Sequence, residues 1–399
     1  MLKQHGYATA ALGKWHLGFG SEPPKGANPP ARKSSKPENG GKRPPGGLGL
    51  PVGSRVIDGP VTRGFDYFWG CSNARTMAGL IENDRVIETI KPIDMLPRLG
   101  RRAAGYIEEK AADARAGKPF FLYLALTSPH TPIVPTAEWQ GKSGLGDYAD
   151  FVMQTDAVVG DVLAALEQHG LTENTLVVFT SDNGCSPAAG TAKLERLGHF
   201  ASADFRGYKS DIWDGGHRVP FFARWPGKVQ AASHNSQLIC HTDLMATCAG
   251  LLGVTLPETA AGDSVSILPA LLGTDRAPLR EAVVHHSIHG RFAIRQGPWK
   301  LELCPGSGGW GGPGDGEAAK QGLPGVQLYH ISDDIAESRN VQAEHPEVVG
   351  RLTKLLEKYV KEGRSTPGVK LANDVPVILI KDGSKPPKRK AAAVPEVAR

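Results

Sequence analysis

The sequence predicts an α/β fold, because continuous apolar runs bounded by turn residues alternate with stretches of helical period. Phe120 to Thr127 is apolar almost throughout and lies between Pro119 and Pro129, the pattern of a strand buried on both faces of a parallel sheet. Tyr148 to Gly170 sets Phe151, Thr155, Val158, Val162 and Leu166 on one helical face and ends at a glycine. Asn174 to Thr180 reads as a second buried strand. Strand, helix and strand in that order predict a right-handed parallel crossover, with a ligand crevice beyond the carboxyl ends of the strands.

The other elements follow the chain. Met1 to Gly6 reads as the last turn of a helix running into a strand over Tyr7 to Leu12, an unusual way for a domain to begin. Ser21 to about Pro60 is a loop rich in Pro, Gly and Lys and poor in apolar residues. Arg101 to Ala116 carries Ala104, Ile107 and Ala111 at helical spacing, and His217 to Trp225 predicts another strand. Asp243 suits the N-cap of a helix over Leu244 to Leu252, with Gly253 behind it. After Gly273 the pattern turns to alternation. Arg291 to Leu303 reads as a hairpin around Gly297-Pro298, Val326 to Ile331 alternates again, and Pro346 to Glu362 is an amphipathic helix. The predicted organisation is a catalytic α/β domain over 1–275, a small antiparallel sheet with one helix over 276–368, and a disordered basic tail over 369–399.

At 399 residues with 40% hydrophobic content the chain can bury a full core. No apolar run approaches the ~20 residues of a membrane span, and Met1 to Gly6 has no secretion-signal core. The net charge of +5 is concentrated in Lys25 to Arg43 and Lys381 to Lys390. No nucleic-acid motif accompanies it, so a nucleic-acid partner is not expected. Five cysteines without ligand spacing indicate neither a disulfide framework nor a zinc site.

Four polar motifs stand at predicted strand ends. Ser181-Asp182-Asn183-Gly184 offers a carboxylate and an amide oxygen, donors that suit a hard cation but are too few to complete its shell. Gly13-Lys14-Trp15-His16 supplies a point charge and an imidazole, and Pro129-His130-Thr131-Pro132 an imidazole between two prolines, suited to a general acid. Arg206-Gly207-Tyr208-Lys209, ahead of Gly216-His217-Arg218-Val219-Pro220, adds a second lysine. Two lysines, a histidine and part of a hard-metal site describe a pocket for a small oxyanion that gains charge during reaction.

These motifs, with Arg63-Gly64-Phe65-Asp66, resemble those of the type I sulfatases in identity and order from Met1 to about Val360, most closely the bacterial arylsulfatase-like members. The resemblance implies an alkaline-phosphatase-like, mostly parallel sheet flanked by helices, and hydrolysis of sulfate esters of aryl or carbohydrate compounds. It makes Asp182 and Asn183 ligands of Ca2+, with Mg2+ as an alternative. Lys14 and Lys209 become binders of sulfate oxygens, His16 an aid to breakdown of the sulfated intermediate, and His130, with Lys209, the acid for the leaving group. Leu12 departs from the small or β-branched residue usual before Gly-Lys. The family nucleophile is a formylglycine made from Cys-x-Pro-x-Arg after a pair of aspartates; both are expected upstream of Met1, so the chain reads as a fragment without its nucleophile.

Cys71-Ser72-Asn73-Ala74-Arg75 lacks the proline and is read as a buried structural cysteine. His285, His286 and His289 are read as core or surface histidines, and Arg291 and Arg295 as hairpin-surface residues with a possible anionic contact. A phosphonate or phosphate-ester hydrolase and a noncatalytic binder of sulfated glycans are the alternatives. The compartment stays open, secretion or a periplasmic home being usual for similar enzymes.

Overall fold

The structure is a computed structural model that describes residues 1–24, 50–75, 77 and 79–381. Most of the Pro- and Lys-rich loop and the end of the basic tail lie outside the described residues. The chain forms two compact units. One comprises residues 1–178, 188–199 and 223–233; the other comprises 179–187, 200–222 and 234–399.

The first unit is built on β1 (Ala8–Lys14), β2 (Gly20–Glu22), β3 (Arg55–Ile57), β4 (Tyr67–Cys71), β5 (Leu80–Glu82), β6 (Arg85–Glu88) and β7 (Phe120–Ala125). They lie in the order β2-β3-β6-β5-β4-β1-β7. The sheet is mixed: β1 runs parallel to β4 and β7, whereas the other ladders are antiparallel. Met1 to Gly6 is a short 3-10 turn closed by Gly6 at φ +82°, as the opening residues suggest. The edges of the Pro- and Lys-rich loop pair with each other as β2 and β3.

Helix α1 (Pro92–Arg115) begins nine residues before the periodic stretch, because Pro92 opens it and the buried Met95, Leu96 and Leu99 extend its apolar face. It packs on β1, β7 and α2 (Asp147–Gln168). The core under the sheet joins Leu12, Trp69, Leu80, Met95, Leu99 and Tyr106.

Two expectations fail at the strands β8 (Val177–Thr180) and β9 (Phe221–Arg224). They pair only with each other among the described residues, so β7, α2 and β8 do not close a crossover within one sheet. Nor is β8 the buried strand expected, since Phe179 is exposed; β9, predicted simply as a strand, exposes Phe222. Strand β7 is likewise an edge with Tyr123 exposed. An apolar run records what a strand can bury and says nothing of whether a neighbour covers it.

The second unit carries α3 (Asp243–Leu252), the sheet β10 (Val283–His286), β11 (Phe292–Gln296), β12 (Trp299–Glu302) and β13 (Gln327–His330), and α4 (Pro346–Glu362). Its four strands are antiparallel in chain order, with the expected hairpin at Gly297-Pro298. Leu352, Leu355, Leu356 and Tyr359 of α4 close over Ile294, Leu301 and Leu328. Asp243 is not the N-cap of α3, a place taken by Thr242. Its carboxylate accepts hydrogen bonds from Cys240 N and Val265 N and pairs at 2.8 Å with the buried Arg280. Residues 369–381 form no helix or strand but are held to the unit, for instance by Leu371 N donating to Glu362 O.

Candidate oxyanion site

In the first unit, three parallel strands end together. Gly13 at φ +112° lies so close to β7 that a Cβ there would sit 1.9 Å from Ala125 O. A Cβ on Gly70 would sit 1.9 Å from Gly13 O, so only glycine fits either position. The next residue, Lys14, is half-buried and stands across from Cys71 in the β1–β4 register. Trp15 N and His16 N donate to Cys71 O and Ser72 O at 3.0 and 2.8 Å, which extends the pairing beyond the strand and turns out His16, exposed and at φ +54°.

His130 follows the same end of β7. The peptide bonds to the prolines on either side of it, Ser128-Pro129 and Thr131-Pro132, are cis. His130 Nδ1 lies 2.6 Å from Thr131 O, and because a carbonyl only accepts, Nδ1 carries the proton. Lys14, His16 and His130 therefore leave one end of two neighbouring strands, β1 and β7.

In the second unit, Asp182 and Asn183 follow β8 in a loop closed by Ser181 Oγ donating to Asn183 O at 3.0 Å. The loop is clamped to the turn 206–216: Gly184 N donates to Gly216 O at 3.1 Å, and Lys209 N to Cys185 O at 2.7 Å. A Cβ on Gly184 would lie 1.8 Å from Gly215 O, and one on Gly215 2.1 Å from Gly207 O. The three glycines thus let the two segments touch backbone to backbone. Asp182 is exposed, and Asn183 and Lys209 are half-buried. Carboxylate and amide oxygens are the right donors for a hard cation, yet they are two of the ~6 it takes. Among the described residues no group of three or more His, Cys, Asp or Glu gathers around such a point.

Behind this turn lies a buried polar cluster that the sequence did not reveal. Lys300 on β12 is fully buried, with Nζ 2.6 Å from Glu337, 2.8 Å from Asp214, 3.1 Å from Glu302 and 3.1 Å from Ile212 O. Glu337, at φ +49°, also accepts from Asp214 N at 2.6 Å. A strand position of alternating pattern reads as apolar or surface, so a lysine there gives no sign of its burial. Burial pushes the Asp214 carboxyl up, but the charge and hydrogen bond of Lys300 outweigh it and hold it at about 2. Burial lifts Glu302 well above the usual carboxylate range. The rings of His285 and His217 lie 4.3 Å apart, tilted by 47°, and burial, then the charge of Lys300, depresses both, His217 to about 4.

His285, half-buried, falls within the expectation of a core or surface histidine. The hairpin arginines are not surface residues. Arg291 is buried and pairs at 2.5 Å with Asp315, and Arg295 lies 3.7 Å from Asp214; each cation is engaged inside the subunit by a carboxylate whose place only the fold determines. Cys71 is fully buried despite standing beside Lys14, and burial raises its thiol to about 12. Cys185-Ser186-Pro187-Ala188-Ala189 holds the proline of the Cys-x-Pro-x-Arg pattern but has Ala189 in place of arginine.

The chain is an α/β protein whose first unit sets Lys14 at, and the oriented His130 beyond, its strand ends, and whose second ties the backbone of Lys209 to the loop that carries Asp182 and Asn183. Comparison with known proteins gives the class a name. The chain belongs to the sulfatase family, whose profile matches residues 1–254. It is 33% identical over 416 residues to an N-acetylgalactosamine-6-O-sulfatase of Bacteroides thetaiotaomicron, across 90% of this chain and 75% of that protein. It is 33% identical to human arylsulfatase A across 76% of this chain, and spans 57% of the length of that relative. A solved Bacteroides thetaiotaomicron sulfatase, described under the metabolism of multiple glycosaminoglycans, superposes with a TM-score of 0.72 at 29% identity, covering 90% of this chain and 80% of that one.

Proposed function

We propose that the protein serves the hydrolysis of sulfate esters of carbohydrates. The observation that carries this reading is the clamp of Lys209 N on Cys185 O at 2.7 Å, which ties the backbone of a lysine to the chain two residues after the Asp182-Asn183 donors. Lys209 and Lys14 bind sulfate oxygens as point charges, and the tightness of Gly13 and Gly184 keeps their backbones from drifting. His130, its tautomer fixed through Thr131 O, hands a proton to the departing sugar oxygen once protonated, and His16 stands at the exposed rim as a second proton carrier. Asp182 and Asn183 would hold a divalent cation, Ca2+ or in its place Mg2+, which would supply positive charge to the bound sulfate. No Cys-x-Pro-x-Arg occurs in the 399 residues.

The likeness to an N-acetylgalactosamine-6-O-sulfatase over 90% of the chain favours a sulfated sugar over a simple aryl ester. A protein that joins these 399 residues to a formylglycine segment is expected to release sulfate from N-acetylgalactosamine 6-sulfate faster than it cleaves an aryl phosphonate, and the 399 residues alone to turn over no aryl sulfate. Preference for the phosphonate, or turnover by the isolated chain, refutes the reading. Thermal shift with Ca2+ supplies a second check, expected in the wild type and lost in Asp182→Ala.

A further inference from the structure

The residue after Lys209 is held in an uncommon conformation by a loop from the far end of the second unit. Ser210 sits at φ +88°, a region that side-chain-bearing residues seldom occupy. Ile288 N donates to Ser210 O at 3.0 Å, Trp310 N donates to Ser210 Oγ at 3.0 Å, and Gly311 N donates to Asp211 Oδ1 at 2.8 Å. A Cβ on Gly309 would lie 2.4 Å from Ser210 O, and one on Gly311 2.4 Å from Asp211 Oδ2. The glycines on both sides of Trp310 are what allow this approach.

The loop is braced from behind. Ser287 Oγ donates to Gly308 O at 2.6 Å, Gly308 N donates to Asp315 Oδ1 at 3.1 Å, and the Arg291 to Asp315 pair closes its base. The outcome runs against the hydrophobic effect, since two large apolar side chains stay in water: Trp310 is 55% exposed and Ile288 57%. Both are anchored through their own backbone nitrogens to Ser210, one residue from Lys209. An exposed indole whose backbone nitrogen is held by the hydroxyl of Ser210, the residue next to Lys209, offers what would complement a sulfated sugar: an apolar face for its C–H groups and, one residue away along the chain, a cation for its anion.

We infer that Trp310, with Ile288 beside it, is the sugar-binding platform of this protein, stacking the pyranose ring whose sulfate lies on Lys209. The assignment rests on the function proposed above and adds to it a specificity residue supplied by the loop between β12 and β13. It predicts that affinity for the sugar and affinity for the anion can be lost separately.

Isothermal titration of the full chain with N-acetylgalactosamine 6-sulfate and with inorganic sulfate tests this. Trp310→Ala is expected to weaken the sulfated sugar about tenfold while leaving inorganic sulfate within about twofold, and Trp310→Phe to recover most of the loss. Sulfated-sugar binding unchanged in Trp310→Ala overturns the platform and leaves the proposed function standing. Equal loss of both probes assigns Trp310 a purely structural role and also overturns it. Failure of the wild type to bind either probe, or binding of both undiminished in Lys209→Ala, brings down the function and the platform together.

Discussion

Lys300 Nζ lies 2.6 Å from Glu337 Oε1, and neither side chain is exposed to solvent at all. Through Glu337, which also accepts from Asp214 N, this pair fixes the buried turn that faces the Asp182-Asn183 loop. Removal of one partner leaves uncompensated charge in the interior, which costs ~3–5 kcal/mol. Lys300→Met is therefore expected to lose stability of about that size in urea denaturation, and the double variant Lys300→Met, Glu337→Leu to recover part of it. A single variant as stable as wild type would show that the cluster is better solvated than its geometry implies.

Acidification should destabilise the protein from near neutrality. His217 and His285 are held neutral when folded, with His217 at about 4, whereas both protonate near 6.5 when unfolded. Between pH 6.5 and 4 the unfolded chain thus binds up to two more protons, and stability falls as pH falls. Asp214 acts in the same direction lower down: its contribution is present above 3.8 and is lost as pH drops toward 2. Glu302, raised when folded, opposes the trend by keeping its proton above 4.5. Thermal melts from pH 7.5 to 4 should decline more steeply for the wild type than for His217→Asn; parallel profiles would contradict the assignment.

Gly184→Ala should be among the most damaging substitutions of a small residue in the chain. Its Cβ would fall 1.8 Å from Gly215 O, a backbone atom that cannot rotate away. Overpacking of this kind typically costs ~1–3 kcal/mol, and the displaced loop carries Asp182 and Asn183. The expected result is a lowered urea midpoint with weakened Ca2+ binding, while Gly160→Ala, which meets nothing within 4 Å in helix α2, leaves both unchanged.

Cys71 should resist alkylation. It is fully buried with its thiol raised to about 12 by that burial, so almost no thiolate exists at pH 8. Iodoacetamide labelling read by mass spectrometry should spare it in the native protein and modify it in urea, while the half-buried Cys185 and Cys240 react first.

Much of the architecture was legible in the sequence, because apolar period and turn residues respond to local geometry. The helices α2 and α4, the 297–298 hairpin and the strand before Gly13-Lys14 stand where the pattern puts them. The turns beside Lys14, His130, Asp182, Asn183 and Lys209 were legible in the same way, through the glycines and prolines that adjoin them. Tertiary structure alone decided which strands were covered and which charges were buried. Strand β8 has the composition of a core strand and an exposed aromatic face, whereas Lys300 has the composition of a surface residue and lies at zero exposure. Burial is a property of neighbours brought from far along the chain, and no local pattern encodes it: Glu337 and Asp214 meet Lys300 across 37 and 86 residues. A separation of 100 residues divides Trp310 from Ser210, whose meeting depends on two glycines having no side chain to keep them apart.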